Sequence, residues 1–404
     1  MKHPRPWIVQ FGTLVVSLFS ATALSAGPPN DKPAGSDSAE APSLAKIVPR
    51  MQQFIDEKQI AGSVTLVMRR GKIVHFEPVG WADIAAKRPM TRDNLFAIAS
   101  MTKPITATAM MILQDEGKLS VDDPVSKYIP KFKEARLADR PLAREITIHD
   151  LMTHTAGLSP PVVKDLFAEP SLRATAEQVA AAPLQFEPGS KWKYSNGITV
   201  CGAIIEAVSG KPYDEFLSER IFRPLKMNDT TFFLDADARG RLATMYRRTN
   251  GGDLEADKRP GVSAGSGHRG MPNPSGGLYS TAADMARFYQ MILDGGQFDG
   301  KQLVSRAAVE QMTHVQTGDL VTGFTPGNGW GLGWCIVRQP QGITKMLSPG
   351  TFGHGGAYGT QGWIDPKRQM IFVLMVQRND FPNSDASEVR QAFQQLAVDA
   401  VRGG

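Results

Sequence analysis

The chain has 404 residues, 42% hydrophobic and 21% charged, which is the composition of a globular protein with material for one large domain or two smaller lobes. The formal net charge is +5, and Lys2 and Arg5 carry two of those charges, leaving +3 beyond residue 26. That remainder is scattered, with no Lys/Arg run interleaved with aromatics, so composition argues against nucleic acid as a partner.

Residues 1–26 read as a secretory signal, with Lys2 and Arg5 as the basic segment and Phe11–Phe19 as the apolar one. Small residues at Ala21-Thr22-Ala23 and Ser25-Ala26 offer cleavage sites, and Gln10, Gly12, Thr13, Ser17 and Ser20 interrupt the run too often for a spanning helix. The expectation is an exported bacterial protein, periplasmic or secreted, with no stable membrane span once the leader is removed. Residues 27–43, rich in Pro, Gly, Ser and Asp, read as a flexible linker.

From Leu44 the pattern changes. Ile47, Met51, Phe54 and Ile55 recur at helical spacing, and Gly62 is placed at the end of that element. Two β-rich runs then flank Arg70-Gly71, a hairpin signal. In FAIASMTKPITATAMMILQDEG, Phe96–Gly117, a turn leads into a helix that is apolar nearly all round and therefore buried. Pro104 is tolerated only near a helix start, which puts Ser100 close to the N-terminal end, and Gly117 is a plausible stop. Lys103 follows Ser100 by three residues and so faces the same side. A serine hydroxyl needs a neighbour to take its proton, and burial lowers a lysine's pKa enough to make it a base. The helix N-terminus adds partial positive charge where an oxyanion would form. Alone, Ser-x-x-Lys is a weak signal.

The middle of the chain reads as mostly helical. Helices are predicted over Ile146–Leu158, Ala174–Ala182, Gly197–Val208, Tyr213–Ile221 and Ala282–Leu293, and 249–277 as a long loop. The tail reads as strands, Gly331–Val337, Gly353–Thr360, Gln361–Ile364 and Met370–Gln377, closed by a helix over Ser387–Val401. The fold class expected is therefore α+β. An antiparallel sheet is built from both chain ends (about 44–95 and 330–404), flanked by helices, with a mainly helical lobe of about 96–329 inserted. The groove between two such lobes would suit a ligand.

Cys201 and Cys335 are the only cysteines, and their apolar surroundings suit buried free thiols. The seven histidines are dispersed, no Cys/His spacing of metal type occurs, and no cofactor or metal is expected. Gly261-Val262-Ser263-Ala264-Gly265 matches the Gly-x-Ser-x-Gly pattern. Pro260 before it and the Gly-rich stretch after it forbid the strand and helix which that motif requires.

Three motifs line up along the chain: Ser100-Met101-Thr102-Lys103, Tyr194-Ser195-Asn196 and His354-Gly355-Gly356. In order, spacing and context the sequence resembles the serine β-lactamase and penicillin-binding-protein superfamily. Within it, the class C-like branch is nearest, which holds family VIII carboxylesterases, D-alanyl-D-alanine carboxypeptidases and D-aminopeptidases. The resemblance covers residues 44–402, with LMTHTAGL, PSGGLYSTAADMARF and GWGLGW as supporting stretches. It implies that Ser100 is the acylated nucleophile, that Lys103 takes or shares its proton, and that Tyr194 acts with Lys103 as base and then as acid. Neighbouring cations would favour the Tyr194 phenolate. Asn196 would bond the acyl side chain or Lys103, Gly355 and Gly356 would let substrate backbone approach, and the N–H groups of Ala357 and Ser100 would form the oxyanion hole. His154 is given a capping or core role.

His354 stands where many relatives carry Lys. A histidine is mostly neutral near pH 7, so the resemblance leans away from an efficient β-lactamase. It leans toward a carboxylesterase on small acyl esters. The alternatives are a D-alanyl-D-alanine carboxypeptidase, a D-aminopeptidase, a weak β-lactamase, or a penicillin-binding sensor that acylates without turnover. The partner expected is thus a small ester, β-lactam or D-peptide substrate.

Overall fold

The hairpin signal at Arg70-Gly71 marks the turn between the sixth and seventh strands of an eight-stranded sheet. The computed structural model describes residues 44–159, 171–257 and 270–402, together with Met1. The expected leader, the linker 27–43 and the Gly261–Gly265 pentapeptide lie outside the described residues. Gly62–Arg69 (β1) pairs antiparallel with Lys72–Asp83 (β2), and Arg70 and Gly71 between them have φ of 49° and 75°, the left-handed pair that a tight hairpin turn requires. Gly62 opens β1 rather than ending the preceding helix. A Cβ there would lie 2.7 Å from the backbone of Trp81.

Counting only strands of this sheet, Arg88–Pro89 is β3, Asn328–Trp330 β4, Cys335–Val337 β5, Phe352–Gly355 β6, Gln361–Asp365 β7 and Met370–Met375 β8. Their spatial order is β4-β5-β6-β7-β8-β1-β2-β3, antiparallel at every joint. The sheet thus joins both ends of the chain at β8 and β1, where Val64 pairs with Met375 and Arg69 with Met370. Both strands are buried on both faces, and their side chains sort by the period of two. Val64, Leu66, Val373 and Met375 enter one apolar core; Val67, Phe372 and Leu374 enter the other. The second core lies under Ile47–Asp56 (α1) and Glu388–Arg402 (α7), through Met51, Phe54, Val389 and Phe393.

The first core holds Thr102–Asp115 (α2), whose first twelve residues are all buried, as its all-round apolar sequence predicted. It packs against Gly197–Ser209 (α5), and Ala282–Leu293 (α6) lies over β8 and β1. Leu172–Ala181 (α4) completes this layer against α5.

Four predicted elements change. The helix expected over Ile146–Leu158 is only Ile148–Thr153 (α3). A Thr147/Asp150 capping box opens it, and His154, at φ 62°, ends it before Gly157 can. The strand expected over Gly331–Val337 is only Cys335–Val337 (β5); Gly331–Trp334 forms the turn that joins it to β4, which precedes the predicted range. The strand expected over Gly353–Thr360 stops at Gly355, because Gly356 N–H bonds to Thr360 O at 2.7 Å and closes a turn. Within 249–277, Leu254–Ala256 pairs with Tyr246–Arg248. Both cysteines are buried and free. Among the described residues no helix is long and apolar enough to cross a membrane.

Candidate active site

Ser100 sits where a short strand turns into α2. Phe96 and Ala97 pair with Tyr279 and Ser280, and Ile98 N–H bonds to Leu278 O at 3.0 Å. Ala99 then adopts φ 45°, a left-handed conformation that costs an L-residue about 1–2 kcal/mol. The strain turns the chain abruptly, so that Ser100 lies in a 3₁₀ turn over Ala99–Met101 and α2 starts at Thr102. Nothing in the sequence signalled this; an alanine carries no mark of a positive φ.

Lys103 is 3% exposed, on the first turn of α2. Its Nζ lies 3.1 Å from Ser100 Oγ and donates to Ser275 O at 2.6 Å. Burial pushes its pKa down to about 7. Ser275 was seen only as part of a resembling stretch, and its carbonyl is a site group that sequence reasoning missed. It is held by Asn273 Oδ1, which accepts Ser275 N–H at 2.8 Å, and by a 2.7 Å bond between the Ser275 and Thr199 hydroxyls. Thr106 Oγ1 donates to Pro274 O at 2.7 Å, tying the same loop to α2.

Tyr194 arrives from the loop before α5. The Tyr194 ring centroid is 4.7 Å from Lys103 Nζ, and its hydroxyl lies near the Ser100 side chain and 3.4 Å from His354 Nε2. Burial raises the Tyr194 pKa, and the nearby Ser100 side chain does not offset it. The expected phenolate is therefore corrected: the lysine beside it is itself driven toward neutrality, and the phenol stays protonated.

His154 fixes this segment, combining the capping and core roles expected of it. Its Nδ1 accepts Ser195 N–H at 3.2 Å, its carbonyl accepts Lys193 N–H at 3.0 Å, and its ring lies 4.4 Å from that of Tyr194. Burial, then the charge of Lys103, holds its pKa well below the usual histidine range, so the ring is neutral.

His354 lies on β6. Its Nδ1–H donates to Gly355 O at 2.6 Å, which leaves the Nε2 lone pair toward Tyr194. Burial and the nearby Lys103 lower its pKa to about 3. The two glycines after it are required by packing. A Cβ on Gly355 would lie 1.8 Å from Asp385 Oδ1, and one on Gly356 would lie 2.1 Å from Thr360 Oγ1 and 2.5 Å from Ile98 O. Gly356 thus brings the end of β6 against the Ser100 turn, and Ala357 follows at the surface. Asn196 occupies the N-cap of α5 without a side-chain cap bond. Among the described residues no three His, Cys, Asp or Glu side chains gather as a metal site.

The site is therefore a partly exposed hydroxyl, a buried amine of near-neutral pKa and a half-buried phenol meeting at the end of one sheet strand. Such a set can open an acyl bond by nucleophilic attack. Comparison with known proteins agrees with this chemistry. Residues 47–397 match the family model Beta-lactamase. The chain is 32% identical over 377 residues to Esterase EstB of Burkholderia gladioli, covering 84% of this chain and 91% of the relative. A candidate D-alanyl-D-alanine carboxypeptidase of Escherichia coli K12 is 28% identical over 389 residues, covering 85% of each chain. Among solved structures, EstCE1, a hydrolase with promiscuous acyltransferase activity, superposes with a TM-score of 0.78 at 28% identity, covering 90% of this chain and 99% of that one.

Proposed function

The chain belongs to the β-lactamase family and is a serine hydrolase of that kind, and from that premise we propose that it is an exported carboxylesterase acting on small acyl esters. One observation carries the choice of substrate. At the strand position where a lysine would give a permanent charge, His354 is neutral across the working pH range, with its pKa held at about 3. A substrate carboxylate, as in a β-lactam or a D-Ala-D-Ala peptide, gains no ion pair there; an uncharged ester loses nothing.

Ser100 Oγ attacks the ester carbonyl carbon while neutral Lys103 takes its proton. One N–H of that amine stays on Ser275 O, and its nitrogen lies 3.1 Å from the hydroxyl whose proton it takes. The N–H groups of Ser100 and Ala357 receive the oxyanion; one such donor is worth about 3 kcal/mol of barrier. When the tetrahedral adduct collapses, the bond from carbonyl carbon to alcohol oxygen breaks. Tyr194 gives its proton to that oxygen and is resupplied from the Lys103 ammonium. His354 Nε2, as an acceptor, orients the phenol. Water then adds to the acyl-Ser100 ester by the same proton path and releases the acid. Lys103 is already held by Ser100 and Ser275, so Asn196 is left to bond the acyl side chain.

Export rests on Lys2, Arg5 and the apolar run that follows. The activity is tested by offering purified protein ethyl acetate, nitrocefin and a D-Ala-D-Ala peptide. Turnover of the ester well above the other two is expected. Faster release of D-alanine, or of the opened lactam, would overturn the esterase assignment, and a stoichiometric burst without turnover would favour a sensor.

A further inference from the structure

The Tyr194 ring has a neighbour that the mechanism leaves unused. Phe324 stands edge-to-face to it with centroids 4.9 Å apart, and to Trp192 at 6.1 Å. Phe324 is 44% exposed, and Val321 on the same loop is 93% exposed. Exposed apolar side chains scattered singly mean little, but this ring continues a wall. Trp192 packs on Trp330 at 5.2 Å, and both pack on His154 behind Tyr194.

The wall is rigid. Asn328 Nδ2 donates to Thr325 Oγ1 at 2.6 Å and to Cys335 Sγ at 3.1 Å, and Thr322 Oγ1 donates to Asn328 O at 3.0 Å. Asn383 Nδ2 donates to Phe324 O at 2.8 Å, which fixes the tip of the loop. Cys335 lies on β5 and pairs with Gly353 of β6, the strand that carries His354. The exposed ring edge is therefore set at a fixed place relative to the phenol, by bonds to its own backbone.

Resting on the esterase reading, we propose that Phe324 and Trp192 form the subsite for the alcohol half of the ester, and that the preferred substrates carry an aryl ring there. Tyr194 protonates the departing alcohol oxygen, so the alcohol lies against the tyrosine, and the surface continuing from its ring is this aromatic wall. Edge-to-face contact favours a flat ring over a short alkyl group.

The test compares benzyl acetate, ethyl acetate and ethyl phenylacetate on the full chain and on Phe324→Ala and Phe324→Tyr. Benzyl and ethyl alcohols leave with similar ease, so the comparison reads binding rather than leaving-group chemistry. In Phe324→Ala the benzyl-to-ethyl ratio of kcat/KM should fall about tenfold, which is about 1.4 kcal/mol, mainly through KM. Phe324→Tyr should restore it. The ratio of ethyl phenylacetate to ethyl acetate should move less than twofold. An unchanged benzyl-to-ethyl ratio with intact turnover would remove the subsite while sparing the esterase reading. A fall confined to ethyl phenylacetate would assign the wall to the acyl half and overturn the proposal. An unmutated chain inert to all three esters would overturn the esterase reading, and the subsite with it.

Discussion

The two halves of the site are assembled in opposite ways. Ser100 and Lys103 are three residues apart on one turn, and a single helix start brings their side chains within 3.1 Å. Tyr194 and His354 are 160 residues apart and meet at 3.4 Å only because the loop before α5 and a sheet strand converge. Burial acts on both halves, but to different ends. It drives Lys103 down to about 7, where an amine can accept a proton, and it raises the phenol so that Tyr194 remains a donor. A low-dielectric pocket thus separates an acid from a base, which is how one fold can run both halves of an acyl transfer.

The largest effect sharpening this comparison is expected at the local half. Ser100→Ala should lower kcat for ethyl acetate by at least about 10³-fold, because it removes the hydroxyl that lies 3.1 Å from Lys103 Nζ and attacks the ester. Lys103→Met should cost a similar factor. The two together should cost little more than either alone, since nucleophile and base act as a unit. Steady-state rates on the three variants check this; additive losses would separate the pair.

The distant half should matter less and selectively. Tyr194→Phe should reduce kcat by about 10²-fold for ethyl acetate, the loss of one acid–base group. It should cost nitrophenyl acetate far less, because nitrophenolate leaves without a proton. Equal losses on the two esters would show that the ring, rather than the hydroxyl, is what the site uses.

A smaller effect is graded with pH. Lys103 works as the neutral amine, so kcat/KM should fall tenfold per unit below about 7 and level off above it. His354, at about 3, adds no second limb in the range where the protein is assayed. Stability carries the same sign. The unfolded lysine holds its proton up to its ordinary pKa of 10.5 while the folded one has lost it from about 7, so the unfolded state binds more protons between those values. Stability should therefore rise with pH across that window. Denaturant titrations at pH 7 and 10 should show the rise in the parent chain, and Lys103→Met should remove that part of it.

How far the sequence revealed the site follows the same division. The Ser100-Lys103 spacing, the buried helix and Gly117 were legible, because helical geometry is local and periodic; Gly117 takes φ 68° just after the helix ends. A single sheet built from both chain ends was legible, though not its strand order, and α6 was predicted at its observed bounds. The meeting of Tyr194 and His354 with Ser100 was reachable only through resemblance, because no periodicity links residues so far apart. What stayed hidden were backbone events: the positive φ at Ala99, the carbonyl of Ser275 and the early end of α3 at His154. None depends on the chemistry of a side chain at its own position, so composition and pattern could not mark them.

The smallest expected effect guards the comparison against a rival nucleophile. Ser263 sits in a pattern that in other hydrolases marks a nucleophile, and it lies outside the described residues. In those hydrolases a strand must deliver the serine and a helix must start just after it. Pro260 removes a strand donor two residues before Val262, and Gly265, Gly267 and Gly270 follow within a few residues, so neither element fits. Ser263→Ala should therefore leave kcat for ethyl acetate within about twofold. Lost activity in that variant with retained activity in Ser100→Ala would move the chemistry from the helix start to the loop, and the contrast between the local and distant halves would no longer describe the reaction.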